Sequence, residues 1–259
     1  MKTGFGIFLA VFIALGGSWC GFVLAPQLQL GGDKQTTILN SSEVYPISRT
    51  GDATLGLQVY RANGCAACHT ERVRQTGIAC EVTLTGAGKN PAAVTNLILS
   101  VVLTNLTKEA ADQITAKIAA VGGKTEIHML ATGPDIARGW GMRQSVAEDY
   151  LYDQPVELGS LRAGPDLANV GARADVNWQL QHLYAPKSVV KGSTMPPFRY
   201  LFEVHKVGAT PSPDALKLPS EFAPSAGYEV VPKTEAKQLA AYLSSLRANA
   251  PLYSAPVSP

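Results

Sequence analysis

The chain has 259 residues and a formal net charge of +2 at pH 7, with its 22 Lys and Arg spread along its length. That spread builds no basic patch, so no nucleic acid is expected among its partners. Beyond an apolar N-terminus the chain is long enough for one ample core, or a core plus an insertion, and it contains no internal repeats.

Phe5–Ala25 is an uncharged stretch of 21 residues, broken only by small residues and Ser18. A spanning helix needs about 20, so an uncleaved anchor over 1–26 is expected. Lys2 precedes it as a weak positive-inside signal. A cleaved signal peptide is the competing reading. Its apolar core is shorter than this one, and Pro26 follows the best small-residue site at Ala25. Trp19 before Cys20 argues against lipid attachment there, so Cys20 reads as an inert membrane thiol. Residues 27–51 read as a linker.

Asp52–Asn63 reads as a helix capped by Asp52, with Leu55, Val59 and Tyr60 along one side. It leads into Cys65-Ala66-Ala67-Cys68-His69. Cys-x-x-Cys-His is the covalent attachment sequence for haem c. Two thiols one turn apart add to the porphyrin vinyl groups as thioethers, and the adjacent His69 ligates iron. A redox-active Cys-x-x-Cys and half a zinc site are the other readings. Zinc needs a second ligand pair, and none stands at ligand spacing. A redox pair does not need the neighbouring His. One covalent haem c is therefore expected, and its attachment takes place outside the bacterial cytoplasm.

From Ile78 to Arg138 a different pattern intervenes. Glu81–Thr85 alternates like a strand. Asn90-Pro91 caps and opens a helix running to about Val102, and Thr107 opens another that ends at Gly122-Gly123. Glu126–Leu130 reads as a returning strand. This is a β-α-α-β insertion with its own core, assigned to 78–139. Cys80 there reads as a buried structural thiol, and His128 as structural. No catalytic cluster is evident.

Pro-rich composition marks extended loops between Pro211 and Pro224 and in the tail, 249–259. Between them Thr234–Arg247 is an amphipathic helix with Leu239, Tyr242, Leu243 and Leu246 as its stripe. Arg247 suits the C-terminal end of its dipole. A six-coordinate haem takes a second His or Met. The candidates are Met129, Met142, Met195, His128, His182 and His205. Met195 stands out in Gly192-Ser193-Thr194-Met195-Pro196-Pro197, where the prolines stiffen the loop.

A helix before the haem motif crossing a C-terminal helix resembles the frame of class I cytochromes c, with Gly56 permitting close approach. That resemblance implies Met195 as the axial ligand. It also implies that Gly164-Pro165-Asp166-Leu167 presents the Pro165 carbonyl to His69 Nδ1–H, fixing the imidazole. The expected fold is mainly α: a transmembrane helix, a class I cytochrome c-like domain over 52–77 and 140–248, and a small α/β insertion.

A narrower resemblance follows. Tyr152-Asp153-Gln154-Pro155, the run Gly159–Gly171, Trp178, His182-Leu183-Tyr184-Ala185-Pro186 and Met195-Pro196 resemble the membrane-anchored monohaem subunit II, the FixO/CcoO family, of cbb₃-type cytochrome c oxidases. With the anchor and the haem motif, the resemblance covers about residues 1–76 and 140–250. It implies a non-catalytic electron-transfer subunit. Its haem takes electrons from a dihaem cytochrome c subunit or a soluble cytochrome c and passes them to the b-haem/copper catalytic subunit. It implies a single-pass protein of the bacterial inner membrane with a periplasmic haem domain, and a calcium contact near Gly159 and Ser160. Two other classes remain: an anchored cytochrome serving a complex such as nitric-oxide reductase, and a haem sensor or peroxidase-like enzyme. The second requires an open iron position, which a bound Met195 closes.

Overall fold

The computed structural model describes residues 2–30, 34–88, 91–97 and 100–255. Its N-terminus is one long helix: α1 (Lys2–Trp19), a π-helical turn (Cys20–Leu24) and α2 (Ala25–Leu30). The π turn has a local cause. Pro26 has no N–H and its ring crowds the carbonyl one turn back, so the ladder loosens before it. The Ala25 N–H accordingly bonds the Cys20 carbonyl. Gly4–Gln29 has 26 residues, no charge, and no burial against the rest of the chain. At about 39 Å it exceeds the ~30 Å hydrocarbon thickness and is long and apolar enough to cross a membrane.

The stretch expected as a linker is partly structured. β1 (Thr36–Thr37) and β2 (Val44–Tyr45) pair antiparallel. Tyr45 donates to Asp149 Oδ1 at 2.7 Å, Pro46 is buried, and Arg49 pairs with Asp153. Helix α3 follows (Asp52–Ala62). Its N-cap is Gly51, not Asp52, which sits in the first turn where the dipole favours a carboxylate. Tyr60 is buried and Val59 half-buried, but Leu55 faces out at 51 % exposure. Gly56 replaces it at the contact.

The insertion is β3 (Gly77–Gly86), α4 (Pro91–Leu97), β4 (Val102–Leu106), α5 (Lys108–Ala120) and β5 (Lys124–Thr132). Its sheet order is β4-β3-β5, all antiparallel. The pattern is thus β-α-β-α-β. The first helix stops at Leu97, and Val102–Leu106 is an edge strand, because Val101-Val102-Leu103 is an apolar run that suits either state until β3 offers a ladder. The Asn90 cap lies outside the described residues. Thr107 caps α5 by accepting the Ala110 N–H, and the helix closes where Gly122 takes φ +87. The core is two small clusters: Cys80, Val82 and Ala111, and Val94 with Ile118.

The chain then runs through α6 (Pro134–Ala137), α7 (Val176–Tyr184), α8 (Pro186–Val189), the antiparallel pair β6 (Phe202–Lys206) and β7 (Tyr228–Pro232), and α9 (Thr234–Ser245). Asp175 caps α7 through the Trp178 N–H. α9 crosses α3 at Gly56, where a Cβ would stand 1.9 Å from the Gln238 carbonyl oxygen and 2.8 Å from Tyr242 Cβ. The main core gathers around that crossing: Tyr60, Leu180, Leu183, Val230, Leu239, Tyr242 and neighbours. The tail is anchored too. Leu252 is fully buried, and Arg143 donates to the Ala250 carbonyl at 2.6 Å. The architecture is mainly helical with a small α/β insertion.

Candidate haem site

The attachment sequence starts where α3 ends. Gly64 takes φ +64, which a side chain would resist, and turns the chain into a 3₁₀ turn over Cys65–Ala67. The Cys68 and His69 N–H groups both donate to the Cys65 carbonyl, at 3.1 and 3.0 Å. Both thiols are free, Cys65 half-buried and Cys68 exposed. Burial pushes the Cys65 thiol up to about 12. A redox Cys-x-x-Cys needs the opposite, a thiol lowered toward neutrality.

A second segment wraps this turn. Ser160 N–H donates to the Ala66 carbonyl at 3.0 Å, Gly164 N–H to Cys68 at 2.9 Å, and Leu167 N–H to Thr70 at 2.7 Å. Two glycines make that proximity possible. At Gly159, with φ +75, a Cβ would lie 2.1 Å from the His69 carbonyl oxygen. At Gly164 it would lie 2.3 Å from His69 Cε1 and 2.7 Å from Nδ1, so the imidazole rests directly on the glycine. The Ser160 hydroxyl meets the Ala66 carbonyl at 3.5 Å.

His69 Nδ1–H donates to the Pro165 carbonyl at 2.8 Å. Its Nε2 has no hydrogen-bond partner among the described residues. Burial lowers the His69 pKa, outweighing the Pro165 carbonyl and Asp166, so the ring stays neutral. Free thiols, an imidazole with one nitrogen committed and the other unengaged, and a glycine under the ring fit a covalently held haem.

The candidates for the opposite axial position scatter. Met195 is half-buried against the main core, as are Cys65 and Ala66, and Phe198 N–H fastens its loop to the Leu183 carbonyl at 2.8 Å. His182 on α7 stacks on Trp178 with ring centroids 4.7 Å apart. Burial, then the nearby His69, push it down to about 4. Met129 and His128 lie in β5, Met142 is 52 % exposed, and His205 pairs with Glu229 at 3.0 Å. Of these candidates Met195 packs on the core that Cys65 and Ala66 also touch, and His182 lies near His69.

Behind the turn lies a buried polar network that sequence reading passed over. Glu71 is 2 % exposed, accepts from Tyr242 Oη at 2.9 and 3.0 Å, and lines a cavity of about 390 Å³ with Arg49, Asp153 and Tyr150. Burial raises it to about 8, against the lowering by Tyr242 and Arg49. Asp166 is fully buried and accepts from Thr70 Oγ1 at 2.6 Å, Arg72 N–H at 2.8 Å and Ala168 N–H at 2.9 Å. Arg162 joins Asp135 and Asp166. Burial pushes Asp135 up, but the hydrogen bonds from Arg162 and the Arg74 amide outweigh it and hold its carboxyl below the ordinary range.

The wrap that carries Pro165 and Met195 also carries the family signal. Residues 134–218 match FixO, the cytochrome c oxidase mono-heme subunit. The FixO match begins at Pro134, directly after the inserted sheet, and spans about a third of the chain. It contains Gly159, Ser160, Pro165, Asp166, His182 and Met195. Cys65, Cys68 and His69 lie outside it, and Cys68 and His69 reach the matched segment through the Gly164 and Pro165 hydrogen bonds just described. No curated protein matches the chain.

Proposed function

We propose that this chain is the haem c-carrying electron-transfer subunit of a cbb₃-type terminal oxidase. One observation carries the reading: the FixO-matched segment closes over a Cys-x-x-Cys-His turn and engages His69 Nδ1 through Pro165. Cys65 and Cys68 would hold haem c through thioethers, and His69 and Met195 would ligate its iron. The bound haem supplies one-electron exchange.

The chain's own residues set the conditions for that exchange. The Pro165 carbonyl takes the Nδ1 proton, which leaves the Nε2 lone pair for metal and fixes the ring plane. Gly164 lets the ring lie flat against backbone. Met195 offers a neutral, soft thioether, which favours ferrous iron relative to a second imidazole. A dihaem subunit or soluble cytochrome c would deliver electrons, and the b-haem/copper subunit would take them. The helix Gly4–Gln29 would hold the haem domain on the periplasmic face of the bacterial inner membrane.

The test is purification from membranes in mild detergent. The chain should stain for haem on a denaturing gel and travel with a b-haem subunit, and Cys65→Ala/Cys68→Ala should abolish the stain. A chain that migrates alone, and whose deletion leaves cytochrome c-driven oxygen consumption intact, would overturn the oxidase reading.

A further inference from the structure

We propose that Asp135, Arg162 and Asp166 form a positioning relay that holds the Pro165 carbonyl against His69 and thereby sets how strongly the imidazole donates to iron. This rests on the reading of Cys65, Cys68 and His69 as the haem site. Proline has no N–H, so residue 165 cannot anchor its own peptide through an amide bond. The Pro165 carbonyl shares its peptide plane with the Asp166 nitrogen. Whatever fixes Asp166 therefore aims that carbonyl.

Asp166 is fixed from both sides. Its Oδ2 accepts from Thr70 Oγ1 at 2.6 Å and from Arg72 N–H at 2.8 Å, both on the irregular segment leaving His69, while Oδ1 accepts from Ala168 N–H at 2.9 Å. Residues 70 and 166 thus bracket the imidazole and its acceptor in one clamp. Arg162 extends the clamp. Its Nη2 reaches Asp166 Oδ2 at 3.3 Å and also the Arg72 carbonyl, while Nη1 reaches both Asp135 oxygens at 2.7 Å. Asp135 belongs to α6, the first element after β5, and takes the Arg74 N–H as well at 2.8 Å. The exit of the insertion is tied by charge to the backbone that orients His69. Both carboxylates are nearly inaccessible, at 3 % and 0 % exposure, so breaking one pairing leaves a buried charge short of partners rather than a solvated one.

An imidazole that donates to a well-aimed carbonyl gains imidazolate character and stabilises ferric iron. Loosening the carbonyl favours ferrous iron. The experiment uses the full-length, haem-loaded protein in detergent and two variants. Asp166→Asn removes the charge. Thr70→Val removes a donor while keeping charge and volume, so it separates aim from electrostatics and remains informative if Asp166→Asn does not fold. At a fixed electrode potential the ferrous-to-ferric ratio should rise about tenfold in Asp166→Asn and severalfold in Thr70→Val. Exchange of the His69 Nδ1 proton, followed by NMR, should quicken in both. Asp135→Asn should shift both readouts the same way by less. Stained, haem-loaded variants with the wild-type ratio and proton exchange overturn the relay and leave the haem reading standing. Wild-type protein without covalent haem overturns the haem reading and the relay together.

Discussion

The haem turn and the insertion are held together by different physics. Around the turn, buried polar groups do the joining: Glu71, Asp135, Arg143 and Asp166 are each at most 3 % exposed, and each has a partner far away in sequence. In the insertion the core is apolar and small, Cys80, Val82 and Ala111 with Val94 and Ile118, and α5 is opened by a local cap at Thr107. Polar clamps fix one geometry, because each donor must meet its acceptor. Apolar burial fixes a volume and tolerates adjustment. The site sits where one geometry is required.

The comparison breaks most sharply at Gly164. Gly164→Ala drives a methyl into the imidazole, 2.3 Å from Cε1, and should abolish the low-spin haem spectrum while amide exchange in β3 and β5 stays slow. Next is Gly56→Ala, whose Cβ meets the Gln238 carbonyl oxygen at 1.9 Å. It should cost about 3 kcal/mol of global stability by denaturant titration, since α3 and α9 have to separate. Ile118→Ala, at 1 % exposure, should cost a similar or smaller ~2–3 kcal/mol, but within the insertion. Hydrogen exchange should quicken across β3 and β5 with α9 protection and the haem spectrum unchanged.

Glu71→Gln sharpens the contrast through pH. The folded pKa is raised by burial to about 8, so the folded chain holds a proton that the unfolded chain releases near 4.5. Stability from this group is full below the unfolded value and declines as pH rises toward 8. The amide variant should flatten that decline, seen as a melting temperature that changes less between pH 5 and 8. The smallest effect is expected at Lys108→Ala in the exposed ion pair with Asp112, where the denaturation midpoint should not move measurably.

How much of this was legible in the sequence follows the same division. The anchor, the crossing helices, the α5 boundaries and the returning strand carry local signals: an uncharged run, a heptad-like stripe, a Thr cap, a Gly-Gly stop. A helix is expected to run to about Val102, yet β4 starts there, because its membership depends on β3 pairing with it, about twenty residues earlier. The pairing of Pro165 with His69 was reachable through a family motif. Asp135, Arg162 and Asp166 were not, although Arg162 and Asp166 stand four apart, because an ion pair's burial is set by elements distant in the chain. Composition is silent on the segment before α3 and on the tail for a related reason: Tyr45, Arg49 and Leu252 each find their place through partners distant in the chain.

That fastening of Tyr45 and Arg49 limits how far the domain can travel. Leu30 ends the apolar helix, and Gln35 already bonds the Pro46 carbonyl at 2.9 Å. Five residue steps at full extension span no more than ~18 Å. With the helix in a bilayer, the leash is shorter than the domain is wide. Any path of that length keeps the domain at the membrane surface. On the electron-transfer reading proposed above, a mobile donor would come to this domain and the acceptor would lie within its reach.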